Sequence, residues 1–307
     1  MLGAAPLAAT LLGEDLALWR DAQGTARAFA DRCPHRGTRL SLGRVCEGAL
    51  VCAYHGWQFG PDGACQRIPA LPQFAPPQSH AAGVHAVCEA HGLLWVRLAA
   101  TGQAAPPPFE PEANPGLRKL LVGPYDVATS APRIVENFLD MAHFGFVHEG
   151  VLGDSAHTEV PACEVHADAS GVRAIRCMAW QPRSHSAAME GAWVEYDYVV
   201  AAPYTAVLSK AAALPGAQRD TIALFVCPIE PQRSRVWFRL ALCDFESSDA
   251  ELRAFQDLIF MQDRPVLESQ APKLLPISGG EVHSAADRTS TAYRRWLREL
   301  KIVFGVC

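Results

Sequence analysis

The sequence predicts an α+β protein built as two domains: a β-rich unit over residues 1–100 and a mixed unit over residues 117–307, with a connector at 101–116 between them. Three observations predict it. Short apolar runs broken by Gly, Pro and Asp fill the first hundred residues. A stretch with three consecutive prolines, TGQAAPPPFEPEANPG, follows them. Beyond it, strand-like runs alternate with two amphipathic, helix-like segments.

In order along the chain, the alternation around Leu16, Leu18 and Phe29 reads as strands. Turns fall at Asp21–Gly24 and at Pro61-Asp62-Gly63. The run from Gly92 to Leu98 reads as a buried strand closing the first domain. In the second domain, Pro132 suits the first turn of a helix. Strands are expected at Val194–Ala201, Thr221–Val226 and Val236–Leu242. Ser247-Ser248-Asp249 opens a helix that runs toward Gln270, with Pro265 kinking or breaking it. A last helix is expected over Ser290–Ile302.

Composition narrows the function classes. The chain has 307 residues, half of them apolar, and a formal net charge of -5 with no basic run, so nucleic acid has no electrostatic footprint here. No apolar stretch is long enough to cross a bilayer, which argues against a membrane protein. The N-terminus lacks the basic start of a signal peptide and reads as the beginning of a folded domain. The ten cysteines are scattered and do not form a disulfide framework. Cys227 and Cys243, in apolar runs, read as buried and inert, and the whole pattern suits the cytoplasm.

Two of those thiols stand apart. Residues 33–37 read CPHRG and residues 52–57 read CAYHGW, giving C-x-H, sixteen residues, then C-x-x-H. Cys33, His35, Cys52 and His55 are therefore candidate ligands in paired tight loops, with Gly37 and Gly56 where the backbone must turn sharply. Zinc accepts two Cys and two His, but usually with the two histidines together on a helix. One Cys and one His from each loop suits a [2Fe–2S] centre in which two imidazoles replace two thiolates on one iron.

A second constellation lies in ENFLDMAHFGFVHEG, residues 136–150, as N-x-x-D-x-x-H-x4-H. Asp140 and His143 share a helix face. His143 and His148 are five apart, so an α-helix would swing them apart, and it must loosen or end between them, most easily at Gly145. Two histidines and one carboxylate form the facial triad of non-haem Fe(II) oxygenases, which leaves positions open for O2 and substrate.

Together these motifs resemble the oxygenase (α) component of the Rieske non-haem iron oxygenases over nearly the whole chain. Thr38 and Tyr54 stand where respiratory Rieske proteins carry a disulfide pair. The resemblance implies a helix-grip catalytic domain, an antiparallel sheet around a long helix. It places the carboxylate ligand downstream at Asp263, in DRPVLESQ, with Asp257 as the competitor. It makes Asp140 a bridge from a histidine of the mononuclear iron to His35 or His55 of a neighbouring chain, hence a homotrimer, with Asn137 as a nearby amide. It also implies electrons from NAD(P)H through a separate reductase, with or without a ferredoxin, and a small aromatic or heterocyclic substrate. The segment NFLDMAHFGFVHEG is most similar to the α-only monooxygenases and demethylases, so hydroxylation or oxidative demethylation is expected, with ring cis-dihydroxylation as the alternative. A Rieske electron carrier is the rival from another class, but it needs only the first domain. One departure is that a strand and a Trp-containing segment usual before Leu7 are short or missing.

Overall fold

The computed structural model describes residues 2–99, 102–103, 105–182, 191–212, 216 and 218–307. The chain divides into two compact units, Met1–Pro106 and Pro107–Cys307. That division falls inside the proline-rich stretch. The stretch is not extended throughout: Glu110–Ala113 form a 3₁₀ turn, and Glu112 accepts from the Arg239 guanidinium at 2.9 Å within the second unit.

In the first unit, β1 (Leu7–Leu11), β2 (Glu14–Arg20) and β3 (Ala26–Ala30) form a meander. The Asp21–Gly24 turn joins β2 to β3, with Gly24 N–H donating to the Asp21 carbonyl at 2.9 Å. A small sheet follows, made of β4 (Arg44–Cys46), β5 (Ala49–Val51), β6 (Gln58–Phe59) and β7 (Cys65–Arg67). Then β8 (Val84–Ala90) and β9 (Leu93–Arg97) extend the first sheet in the order β1-β2-β3-β8-β9. β9 is thus a half-buried edge strand and not the buried strand expected, because it pairs on one side only. Trp19, Phe29, Leu40, Leu50 and Phe59 pack with Cys33 and Cys52 in one core, so the two thiols are held by apolar neighbours.

The second unit is a seven-stranded antiparallel sheet. β10 (Arg118–Val127) enters first, and β11 (Glu164–Asp168), β12 (Gly171–Gln181), β13 (Ala192–Ala202), β14 (Thr205–Ala212), β15 (Asp220–Glu230) and β16 (Arg233–Leu242) follow as a meander. β10 pairs with β16, giving the order β10-β16-β15-β14-β13-β12-β11. Along β13, burial alternates, with Val194, Tyr196, Tyr198 and Val200 on the core face, as a half-buried strand requires.

Among the described residues, four α-helices join this sheet: α1 (Ala131–Leu139), α2 (Phe144–Val147), α3 (Asp249–Ser269) and α4 (Arg288–Glu299). The start of α3 is as expected: Ser248 caps it, with its side chain and that of Glu251 satisfying each other's backbone N–H. Pro265 does not break α3, which continues to Ser269; Met261, whose carbonyl loses its usual partner, lies half exposed. α4 stops at Glu299, short of Ile302, because Lys301 is left-handed (φ 56°) and Ile302 N–H reaches back to the Leu297 carbonyl.

Buried charge ties the helices together. Arg294 on α4 binds both Glu136 on α1 and Glu281, and Arg133 on α1 binds Glu281 as well. Cys227 and Cys243 are half-buried, not fully buried, and all ten cysteines are free thiols.

Candidate metal centres

The two cysteine loops of the first unit are backbone copies of each other. In the first, Gly37 N–H donates to the Cys33 carbonyl at 2.9 Å, and Cys33 N–H donates to the Thr38 carbonyl at 2.8 Å. In the second, Gly56 N–H donates to Cys52 at 3.0 Å, and Cys52 N–H to Trp57 at 2.9 Å. Gly37 and Gly56 both sit at positive φ, 73° and 69°, where a side chain would be strained. Each loop turns its Cys inward and brings its His beside the other: the His35 and His55 rings are 4.5 Å apart by centroid. His35 also stacks on Trp57 at 4.6 Å, and Trp57 on His80 at 5.3 Å.

The donors suit a cluster. His35 Nδ1 is buried and has no hydrogen-bond partner among the described residues. Burial, with the Cys52 thiol beside it, pushes the Cys33 thiol up, so a second buried thiolate here needs a metal cation to balance it. Cys33, His35, Cys52 and His55 could therefore hold a [2Fe–2S] cluster with two thiolates and two imidazoles.

In the second unit, α1 ends before either histidine. Asp140 leaves the helix with an extended backbone, and its Oδ1 accepts from the Ala142 N–H at 2.8 Å, a local turn that competes with the helix. The break thus falls at Asp140 and not at Gly145. His143 opens the short α2 and His148 closes it with φ -113° and ψ 32°, so the two rings come back together at 5.0 Å. Gly145 serves packing instead: a Cβ there would meet the Asp154 carbonyl at 2.9 Å.

Asp263 is supplied by the buried stripe of α3, Leu252, Gln256, Phe260, Asp263 and Leu267. Its Oδ1 lies 3.1 Å from His148 Nε2 and 3.4 Å from His143 Nε2. Among the described residues, this is the group of three side chains whose ligand atoms lie within 4.8 Å of one another. Asp257, the competing candidate, is turned away and accepts from the Tyr125 hydroxyl. Asn137 Nδ2 donates to Asp263 Oδ1 at 3.3 Å.

Both imidazoles are oriented from behind. His143 Nδ1 faces Asp140 Oδ2 at 3.1 Å, and His148 Nδ1 faces Gln262 Oε1 at 2.9 Å. With Nδ1 protonated in each, both Nε2 lone pairs converge on the Asp263 carboxylate, an arrangement that calls for a cation. Burial works against charge on His148, but Asp263 and Gln262 outweigh it and hold the ring above its ordinary range. Burial likewise works to raise the Asp140 carboxyl, and His143 with the Ala142 N–H outweighs it and holds the carboxyl low. The donor set fits one iron with two imidazoles and a carboxylate.

Gln262 was not singled out by sequence reasoning. It lies beside the buried stripe of α3 and not on it, so the apolar period of the helix gives no signal for it.

The three residues open onto a cavity of roughly 700 Å³, its mouth included. Helix side chains Phe138, Phe255 and Phe260 and sheet side chains Tyr196, Tyr198 and Phe238 supply aromatic walls.

Comparison with known proteins identifies both units. Residues 2–112 match the Rieske [2Fe-2S] domain and residues 127–301 the vanillate O-demethylase oxygenase C-terminal domain. Methylxanthine N1-demethylase NdmA of Pseudomonas putida is 33% identical over 297 residues, covering 96% of this chain and 83% of its own. The probable methylxanthine N7-demethylase NdmC of Pseudomonas sp. (strain TJI-51) is 40% identical over 220 residues, covering 70% and 77%. Part of the P. putida oxidoreductase NdmD, 104 residues, is 43% identical to 34% of this chain and makes up 17% of NdmD. The structure of P. putida CBB5 NdmA with caffeine superposes with a TM-score of 0.85 at 32% identity, covering 97% of this chain and 85% of that one. The chain belongs to the Rieske non-haem iron oxygenases, as an oxygenase component of their α-only demethylase and monooxygenase branch.

Proposed function

We propose that this oxygenase removes a methyl group from nitrogen in a flat, methylated heterocycle of methylxanthine size. The observation that carries the reading is the aromatic-walled cavity opening directly onto His143, His148 and Asp263. A planar ring fills such a space by stacking and edge contacts, which hold its plane while leaving a peripheral methyl group free to face the metal. The similarity to methylxanthine demethylases supports the same substrate class.

In this reading Cys33, His35, Cys52 and His55 ligate the [2Fe–2S] cluster, and His143, His148 and Asp263 hold the mononuclear iron. When bound, the cluster supplies single electrons and the mononuclear iron supplies O2 activation. The chain's own residues do the rest. Asp140 and Gln262 fix the tautomers of His143 and His148. Asn137 holds the Asp263 oxygen that faces both rings. The phenyl and phenol walls keep water from the reacting methyl group. The net reaction consumes O2, NAD(P)H and a proton and releases the N–H heterocycle, formaldehyde, water and NAD(P)+. Electrons come through a separate reductase.

Asp140 keeps a partly exposed carboxylate while it holds His143. That supports the bridging role toward His35 or His55 of a neighbouring copy, and with it a closed homotrimer. Ten free thiols suit a reducing cytoplasm, and no helix among the described residues is long and apolar enough to cross a membrane.

The test is turnover of iron-loaded protein with a surrogate reductase, NADH and a panel of methylxanthines that includes caffeine. One formaldehyde and one demethylated product per O2 consumed is the expected result. A ring diol would favour dihydroxylation, and NADH oxidation without organic product from any N-methyl heterocycle would remove the demethylase reading.

A further inference from the structure

Among the described residues, the sheet wall of the cavity is apolar and aromatic except at one point. Lys210, on β14, lies opposite Tyr196 on β13 and opposite Asp220 on β15. It shares the inward face with Leu208, two residues before it, and it lines the cavity that holds His143, His148 and Asp263. Lys210 is half-buried, and its ammonium makes no hydrogen bond or ion pair with any described residue. Asp220 faces it across the strands and its charge acts on Lys210, but the two form no ion pair; Asp220 Oδ1 accepts from the Cys243 N–H at 2.8 Å. The Tyr196 hydroxyl is occupied as well, accepting from Gln181 Nε2 at 2.6 Å. A second donor in the same wall is also unused, since the hydroxyl of Tyr198 is buried without a partner among the described residues.

A partly buried ammonium beside an apolar pocket loses hydration that no hydrogen bond to a described residue replaces, and such groups concentrate at functional sites. Burial pulls Lys210 below the usual amine value, while the charge of Asp220 acts the other way. The missing partner is a hydrogen-bond acceptor, and a carboxylate-like or enolate oxygen satisfies an ammonium best.

We propose that Lys210 determines substrate specificity by taking a negatively charged oxygen of the bound heterocycle, with the Tyr198 hydroxyl as a second donor. The chain then selects an anionic, oxygen-bearing ring over a neutral one of the same shape. This rests on the reading of the chain as an N-demethylase of flat heterocycles and narrows its substrate class.

The test is equilibrium binding to the iron-loaded protein by calorimetric titration, slightly below neutral pH, with two probes. 1-Methylurate is largely ionised there, and 1-methylxanthine is neutral. Wild type is expected to bind 1-methylurate about 10- to 100-fold more tightly, the range of one charge-assisted hydrogen bond. Lys210→Met, matched in length, should erase that preference, while Lys210→Arg should keep most of it. Equal binding of the two probes, or a preference that survives in Lys210→Met, overturns the proposal. If neither probe binds, the ring-class reading falls, and a second pair decides the role of Lys210: 4-methoxybenzoate against 4-methoxybenzamide. A preference for the benzoate that Lys210→Met abolishes supports the anion-selecting role, and indifference to charge in this pair overturns it.

Discussion

Gln262 Oε1 lies 2.9 Å from Nδ1 of His148, on the side of the ring away from Asp263. An amide oxygen there accepts the Nδ1 proton and leaves the Nε2 lone pair aimed at the site. Outer partners of metal-bound histidines contribute about 10- to 100-fold in affinity or activity, so Gln262→Ala should weaken iron binding by that factor with the cluster spectrum unchanged. Iron retention during dialysis against a chelator reads it directly. Wild-type retention would show that the amide is not needed.

Asp140 has a different position, because it touches His143 and stays partly open to solvent. Asp140→Asn keeps the side chain's size and an oxygen for the Ala142 N–H. Both metals should remain, and turnover should fall by about 100-fold as electron transfer to the catalytic iron is lost. Single-turnover mixing of the reduced protein with substrate and O2 is the check: the reduced cluster signal should persist. Prompt cluster oxidation in this variant would end the bridging role.

His143→Ala separates the two centres. The wild type should hold about three irons per chain, two in the cluster and one mononuclear. The variant should hold about two, with an unaltered Rieske-type EPR signal after dithionite. Loss of that signal would mean the second unit's histidine supports the first centre.

The Arg133–Glu281–Arg294 network gives a stability prediction with a defined pH range. Burial works to raise the Glu281 carboxyl, and Arg133 and Arg294 outweigh it and hold it below its ordinary value of 4.5. A carboxyl whose folded value is lowered contributes stability above its unfolded value and loses it as pH falls through the folded one. Glu281→Gln should therefore cost about 2–3 kcal/mol at neutral pH, since two nearly buried guanidinium groups lose a shared anion. The difference from wild type should shrink below about pH 4.5. Urea melts at neutral and acid pH give the comparison. A deficit that is constant down to acid pH would assign the effect to packing.

The backbone around α2 offers a subtler probe. A Cβ on Gly153 would lie 2.3 Å from the Phe144 carbonyl carbon and 2.4 Å from the Gly145 nitrogen, so Gly153→Ala must push the turn that carries both histidines. Iron affinity should drop by about tenfold or more even though Gly153 touches no ligand atom. Unchanged affinity would mean the turn tolerates displacement.

What could be read from the sequence was chiefly local. The paired loops around Cys33 and Cys52 are closed by hydrogen bonds within six residues, so spacing alone exposes them. His143 and His148 stand in one short segment, and Asp263 follows from the resemblance alone. Other features depend on pairings made far away in the chain. Lys210 faces the cavity only because β14 meets β13 and β15 in one register, and a shift of one residue would turn it out. Gln262 acquires its role only when α3 meets the α2 turn. The helix break was placed at Gly145 by conformational freedom, whereas the Asp140 side chain makes it by capturing Ala142 N–H.

The long helix α3 carries Gln256 and Phe260 in the cavity wall, Gln262 behind one histidine and Asp263 between both. These groups stand on a single rod, so they cannot be adjusted independently. Phe260 in the wall and the Asp263 carboxylate stand one turn apart on that helix. One element thus sets both the width of the pocket and the distance of Asp263 from the two histidines.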